Sequence, residues 1–181
     1  MNIEDISEED FAKLTIYGHM SDCLEANLRR ARLLGLGGDN VRVAPGAIVR
    51  LKGGGQVGRN CFIGLYCYVN GEVVLEDDVI VGPHCSLTSN THVFDPRTKA
   101  FTDSSQAAIR VGRGSWLCAG ASVTAGVSVG KGNLICANAV VTRDTPDYAI
   151  VAGLPARQVG RIDPETGEYS WGERGKLEPS A

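Results

Sequence analysis

VGRNCFIGLYCYVNGEVVLEDDVIVGPHCSLTSNTH, residues 57–92, carries an aliphatic side chain at every sixth position: Val57, Ile63, Val69, Leu75, Val81 and Leu87. The same beat returns in phase at Val111, Leu117, Val123, Val129, Ile135 and Val141. Four residues after each beat the slot is small or β-branched (Cys61, Cys67, Val73, Val79, Cys85, Thr91, Ser115, Ala121, Val127, Ala139, Thr145), and only Asn133 departs from that rule. A period of six matches neither one helical face nor a simple alternating strand; it marks a solenoid of very short parallel strands. Each hexapeptide forms one side of a triangular prism, and three of them complete a coil. Successive coils stack at about 4.8 Å, each bonding its backbone to the next. The twelve repeats make four coils, and looser repeats at Pro45–Arg50 and Leu51–Gln56 suggest one more. Such a prism is rigid and flat-sided, so chemistry has to come from whatever interrupts the pattern or from a seam between prisms.

Around this centre the chain divides into an N-terminal helical cap (1–42), the prism (43–162) and a polar C-terminal tail (163–181). Ser7–Asp10 has the form of a capping box that opens a helix to about Tyr17, and Ser21–Leu34 reads as a second helix stopped by Gly35, Gly37 and Gly38. These helices are expected to cover one open end of the prism, where strand edges would otherwise be bare. An excursion over about 93–110 breaks the beat, and the DPETGEYSW stretch of the tail reads as a turn with a short hairpin. With 18 basic against 21 acidic residues the net charge is −3, and no basic stripe suits nucleic acid. No apolar run approaches the roughly 20 residues of a membrane span, and the acidic Met1–Asp10 is no signal-peptide start, so a cytoplasmic protein is expected.

Six cysteines invite a metal or disulfide reading, but five of them keep the beat: Cys61, Cys67 and Cys85 in the small slot, Cys118 and Cys136 just after an aliphatic. They read as packing residues, and no CxxC supports a zinc site. Of the three histidines, His19 falls in the helical region and His84 on a prism side. Too few lie in the coils for a three-histidine zinc site within one subunit, so no metal is expected. His92 closes the last repeat before the excursion, and an imidazole at such a cleft wall suits removal of a proton from a hydroxyl at neutral pH. The competing interpretation is a surface histidine at a loop root. Residues just before each beat line up Phe62, Ile80, Trp116 and Leu134 along what reads as one apolar corner of the prism, a ridge suited to a partner.

The stretch VGRGSWLCAGASVTAGVSVGKGNLICANAVVTRDTPDYAIVAGLPARQV resembles the left-handed β-helix acyltransferases, closest to the galactoside and maltose O-acetyltransferases. The resemblance covers roughly Val57–Arg161 and includes a single excursion with a histidine at its root. Left-handedness comes from the resemblance alone, since ordinary parallel crossovers are right-handed. The fold it implies is an all-β solenoid, a left-handed parallel β-helix with short N-terminal helices. It further implies an acetyl-CoA-dependent homotrimer with active sites between neighbouring subunits. By position His92 matches the catalytic base, and Trp116 matches the tryptophan of the first repeat after the excursion. Ala119 falls where a backbone N–H faces the thioester carbonyl. Ala137, Thr142 and Arg143 fall on the cofactor groove, with Arg143 in place of the more frequent lysine. Asp103 lies near an acidic loop residue of the family, and Asn70 stands where the family carries a sugar-binding carboxylate, in a coil preceded by one two residues shorter. Asn90, Asp95 or a backbone carbonyl is a candidate to orient His92.

The function expected is acetyl-CoA-dependent O-acetylation of a sugar or another small hydroxyl compound, by direct transfer. The alternatives are N-acylation of a nucleotide-linked amino sugar, which uses the same histidine, and a catalytically silent assembly module.

Overall fold

In the computed structural model Ser7 and residues 21–172 are described. The expected first helix and His19 lie outside them. Three parallel sheets wrap into a prism, and we name its faces A, B and C in the order the chain visits them. Face A holds Arg42–Val43, Phe62–Ile63, Ile80–Val81, Trp116–Leu117, Leu134–Ile135 and Ala149–Gly153. Face B holds Ile48–Leu51, Tyr68–Gly71, Ser86–Thr88, Ser122–Val123 and Val140–Val141. Face C holds Gln56–Val57, Val73–Leu75, Ile109–Val111 and Ser128–Val129. Every beat residue lies in a strand and points inward, none more than 9 % exposed. Each buried aliphatic of this size contributes about 1.5–3 kcal/mol, so the beat is the core.

Chain direction changes at the corners, where one residue per turn takes a left-handed backbone. Between faces C and A these are Asn40, Asn60, Asp78, Gly114, Gly132 and Tyr148. Asn and Asp tolerate that conformation, and here their side chains also form a ladder. Asn40 donates to Asn60 at 3.2 Å, Asn60 to Asp78 at 3.0 Å, and Arg113 donates to Asp78 at 2.9 Å. The departure at Asn133 is structural: its buried side chain accepts from the Ala149 amide (2.7 Å) and donates to Thr145 Oγ1, while Ser115 Oγ accepts from its amide.

The excursion expected over about 93–110 is a β-hairpin, Asn90–Asp95 against Ala100–Gln106, and starts slightly earlier than the lost beat suggests. It leaves and returns at the corner between faces B and C, closed by Ala107 N–H donating to Ser89 O at 2.9 Å. Gly71 makes this neck possible, because a Cβ there would overlap Ser89 Oγ. Ile109, fully buried, occupies the interior slot assigned above to Thr91, which stands on the hairpin instead.

At the N-terminal end helix α1 spans Leu24–Leu33, shorter than the expected Ser21–Leu34 because Cys23 is still extended. Its Ala31 is buried and Arg30 donates to Val43 O at 3.1 Å, which ties the helix to the first coil. At the other end Ala149–Gly153 folds back on Ala156–Ile162, and Tyr169–Trp171 adds the last strand of the face A sheet. The apolar file runs up the middle of face A, not along a corner: Phe62 pairs with Ile80, Ile80 with Trp116, Trp116 with Leu134, and Leu134 with Ile150. Arg42 extends it, its guanidinium 5.4 Å from the Phe62 ring centre. No helix among the described residues is long and apolar enough to cross a membrane.

Candidate active site

His92 stands on the first hairpin strand, exposed, with Ser104 directly opposite. Alternation along the ribbon puts Asn90, His92 and Phe94 on one side with their partners Gln106, Ser104 and Phe101. Phe94 and Phe101 meet edge to face with centroids 5.4 Å apart. Asp103 opposes Val93 and therefore lies on the reverse side of the ribbon from His92. Neither the Asp95 carboxylate nor the Asn90 side-chain amide, both candidates to orient His92, hydrogen-bonds to it. Asp95 is engaged by Arg97, whose amide (2.8 Å) and guanidinium hold its carboxyl below the usual carboxylate range. Asn90 Oδ1 accepts from Ser89 Oγ at 3.2 Å and reaches over Gly71. Ser104 is the neighbour that sequence reasoning missed: the bulge between Phe101 and Asp103 shifts the return strand, and no local signal announces it.

Asn70 faces outward from face B, between Arg50 and Thr88 in the adjacent coils, and its carbonyl accepts from the Ser89 amide at the hairpin neck (3.1 Å). Thr142 and Arg143 are exposed on the same corner as the hairpin, two coils further on. Arg143 makes no ion pair with another described residue.

The other candidates lie elsewhere. Trp116 belongs to the apolar file of face A and is 48 % exposed. Ala119 and Ala137 are exposed neighbours on the corner between faces A and B, joined by Asn138 N–H donating to Ala119 O at 2.9 Å. Among the described residues the Ala119 and Ala137 amides donate to no carbonyl, so both N–H groups are available. Cys118 and Cys136 stand beside them, and burial pushes both thiols up, which leaves them protonated and poorly nucleophilic at neutral pH. Among the described residues no three His, Cys, Asp or Glu side chains gather as a metal site.

The arrangement therefore has two halves. One corner carries an exposed imidazole and an unpaired guanidinium; another carries uncommitted amides on small residues. The full width of face B separates them.

A family model described as the hexapeptide repeat of succinyl-transferase matches residues 56–88 and 109–143, on either side of the hairpin. Nodulation protein L of Rhizobium meliloti (strain 1021) is 37% identical over 126 residues, 65% of this chain and 69% of that protein. Among solved structures, a maltose O-acetyltransferase from Clostridium difficile 630 superposes with a TM-score of 0.69 at 24% identity, over 86% of each chain. AntD, an N-acyltransferase from Bacillus cereus solved with dTDP and 3-hydroxybutyryl-CoA, gives 0.63 at 17% identity, over 71% of this chain and 72% of that one. A hexapeptide-repeat acetyltransferase from Vibrio cholerae, solved with acetyl coenzyme A, gives 0.59 at 23% identity, over 87% and 91%. The fold is the left-handed parallel β-helix. The chain belongs to the hexapeptide-repeat acyltransferase family.

Proposed function

We propose that the protein is an acetyl-CoA-dependent O-acetyltransferase acting on a sugar or another small hydroxyl compound, with His92 as general base. The observation that carries this reading is an exposed imidazole on the hairpin that interrupts an otherwise regular prism. The relatives with maltose O-acetyltransferase activity and bound acetyl coenzyme A support it.

In this reading His92 takes the proton of the acceptor hydroxyl as the oxygen attacks the thioester carbonyl. The Ala119 N–H holds the carbonyl oxygen as charge collects there, an effect of about 3 kcal/mol where such a donor has been removed. The C–S bond breaks and His92 returns the proton to the departing thiolate, so base and acid are one group and no covalent enzyme intermediate is needed. Ala137, Thr142 and Arg143 hold the cofactor, Trp116 borders its channel, and Asn70 and Asn90 border the acceptor, whereas Asp103 is turned away from His92 on the reverse side of the ribbon.

A single copy keeps His92 and Ala119 on different corners, so the working site is built between copies. A closed ring of three, each presenting its hairpin corner to its neighbour's other corner, brings the halves together. The apolar file on face A, with Ile80 and Trp116 exposed at its centre, supports that assembly as the buried seam.

Acceptor-dependent release of free thiol from acetyl-CoA, with a panel of sugars, tests the reading. The His92→Ala variant is expected to lose about 100- to 10,000-fold in kcat/KM, the usual worth of a general base. Undiminished release by that variant would remove His92 from the role. The likeness to an N-acyltransferase favours one other reading, transfer to an amine, and amino sugars in the same panel separate the two.

A further inference from the structure

The corner between faces A and B carries a column of left-handed residues, one per coil: Gly46, Tyr66, His84, Gly120 and Asn138, with φ of 70°, 55°, 59°, 72° and 57°. Backbone bonds join the rungs, from Tyr66 N–H to Pro45 O (3.1 Å), His84 N–H to Leu65 O (2.8 Å) and Gly120 N–H to Pro83 O (2.9 Å). Gly and Asn adopt this conformation at little cost and His tolerates it, whereas the bulkier Tyr66 is strained in it. Tyr66 recovers none of that strain by burial, being 52 % exposed, and His84 beside it is exposed too. They stack on each other instead, rings nearly parallel at 13° with centroids 5.5 Å apart. Strain held at an exposed side chain points to a role other than packing.

Their position says which role. His84 lies one rung, about 4.8 Å, from the coil that carries Ala119. Gly120 supplies no side chain above the imidazole, and Asn138 Oδ1 leans over Gly120 from the next rung. The corner thus forms a ledge running from Ala137 through Ala119 to the open face of His84 and on to Tyr66. A thioester carbonyl held at Ala119, with the cofactor arm along Ala137, delivers its acyl group toward that aromatic stack.

We propose that Tyr66 and His84 form the acceptor platform, which selects acceptors presenting a flat ring face, such as the CH-rich face of a pyranose or the π face of a heterocycle. The proposal rests on the acyl-transfer reading above. His84 acts by contact with the acceptor ring and is not a second base, since the ring face rather than a nitrogen is turned along the ledge. Acyclic polyols offer the same hydroxyl chemistry without a ring and gain nothing from the platform.

The test uses Tyr66→Asn and His84→Asn, singly and together, because Asn already occupies this conformation at Asn138. Methyl pyranosides and hexitols serve as paired acceptors, with thermal melting and KM for acetyl-CoA measured alongside. We expect kcat/KM for the pyranosides to fall about three- to tenfold, chiefly through KM, consistent with the worth of ring stacking. Transfer to hexitols and KM for acetyl-CoA stay unchanged, and the melting temperature stays level or rises as strain is relieved. His84→Phe, which restores a ring, recovers most of the loss with an unaltered pH profile. Equal losses for ring and open-chain acceptors, a lowered melting temperature, or no effect on pyranosides would each overturn the platform. A wild-type protein that transfers to neither class would instead refute the acyl-transfer reading, and the platform with it.

Discussion

At the scale of single residues, the candidate oxyanion donor can be removed with little other change. The position two after the beat on the corner between faces A and B is Pro45, Leu65, Pro83, Ala119 and Ala137 in successive coils. Proline therefore fits this corner, and the Ala119 amide has no acceptor to lose among the described residues. Ala119→Pro is expected to melt like the wild type yet lose about 100- to 1,000-fold in kcat. Loss of the fold, or retention of full activity, would count against the assignment. The cysteines make a second residue-scale prediction. Cys23, exposed at the start of α1, has its thiol pKa lowered by the Ser21 hydroxyl, which donates to its sulfur at 3.3 Å, and by the Ala26 amide. Burial raises Cys61, Cys118 and Cys136. A lowered pKa means more thiolate at a given pH, so between pH 7 and 8 iodoacetamide should label Cys23 first, as read by peptide mass mapping. Faster labelling of Cys118 or Cys136 would show that their surroundings are more open than the structure has them.

At the scale of elements, the inward and outward residues of the paired two-residue strands Phe62–Ile63 and Ile80–Val81 do different work. Ile63 is fully buried, and Ile63→Ala should cost about 2–5 kcal/mol in denaturant unfolding. Ile80 stands on the outer file of face A and is 43 % exposed, so Ile80→Asp should leave a folded chain that no longer assembles, as read by light scattering. The beat residues could be read from sequence because a period of six repeated over twelve positions leaves one geometry, and that geometry dictates which side chain is inside. The file on face A was half legible. Its members followed from the period, but their place on a face instead of a corner depends on where the left-handed residue falls in each turn. The hairpin was legible only as an interruption. Its register rests on a bulge near Thr102, and its neck on the close approach of Gly71 and Ser89, neither of which has a periodic signature. Asn133 looked like an exception to the small-slot rule. Three hydrogen bonds make it a buried polar link between coils, a compensation visible only once Ser115, Thr145 and Ala149 are brought beside it.

At the scale of the whole molecule, the prism places the candidate imidazole and the candidate oxyanion donor on different corners, with face B between them. With His92 and Ala119 in the roles proposed, neither corner alone would perform the transfer, so activity and assembly should rise and fall together. Ile80→Asp is accordingly expected to abolish turnover without touching His92 or Ala119. Mixing subunits tests this arrangement most directly. His92→Ala and Ala119→Pro, each nearly inactive alone, are unfolded together, refolded as mixed rings and assayed for acceptor-dependent thiol release. If each site takes His92 from one copy and Ala119 from the next, about a quarter of the seams in an equal mixture are intact, and about a quarter of wild-type activity returns. If the two groups act within one copy, every site in the mixture carries a defect, and activity that stays at the level of the separate variants would contradict the account.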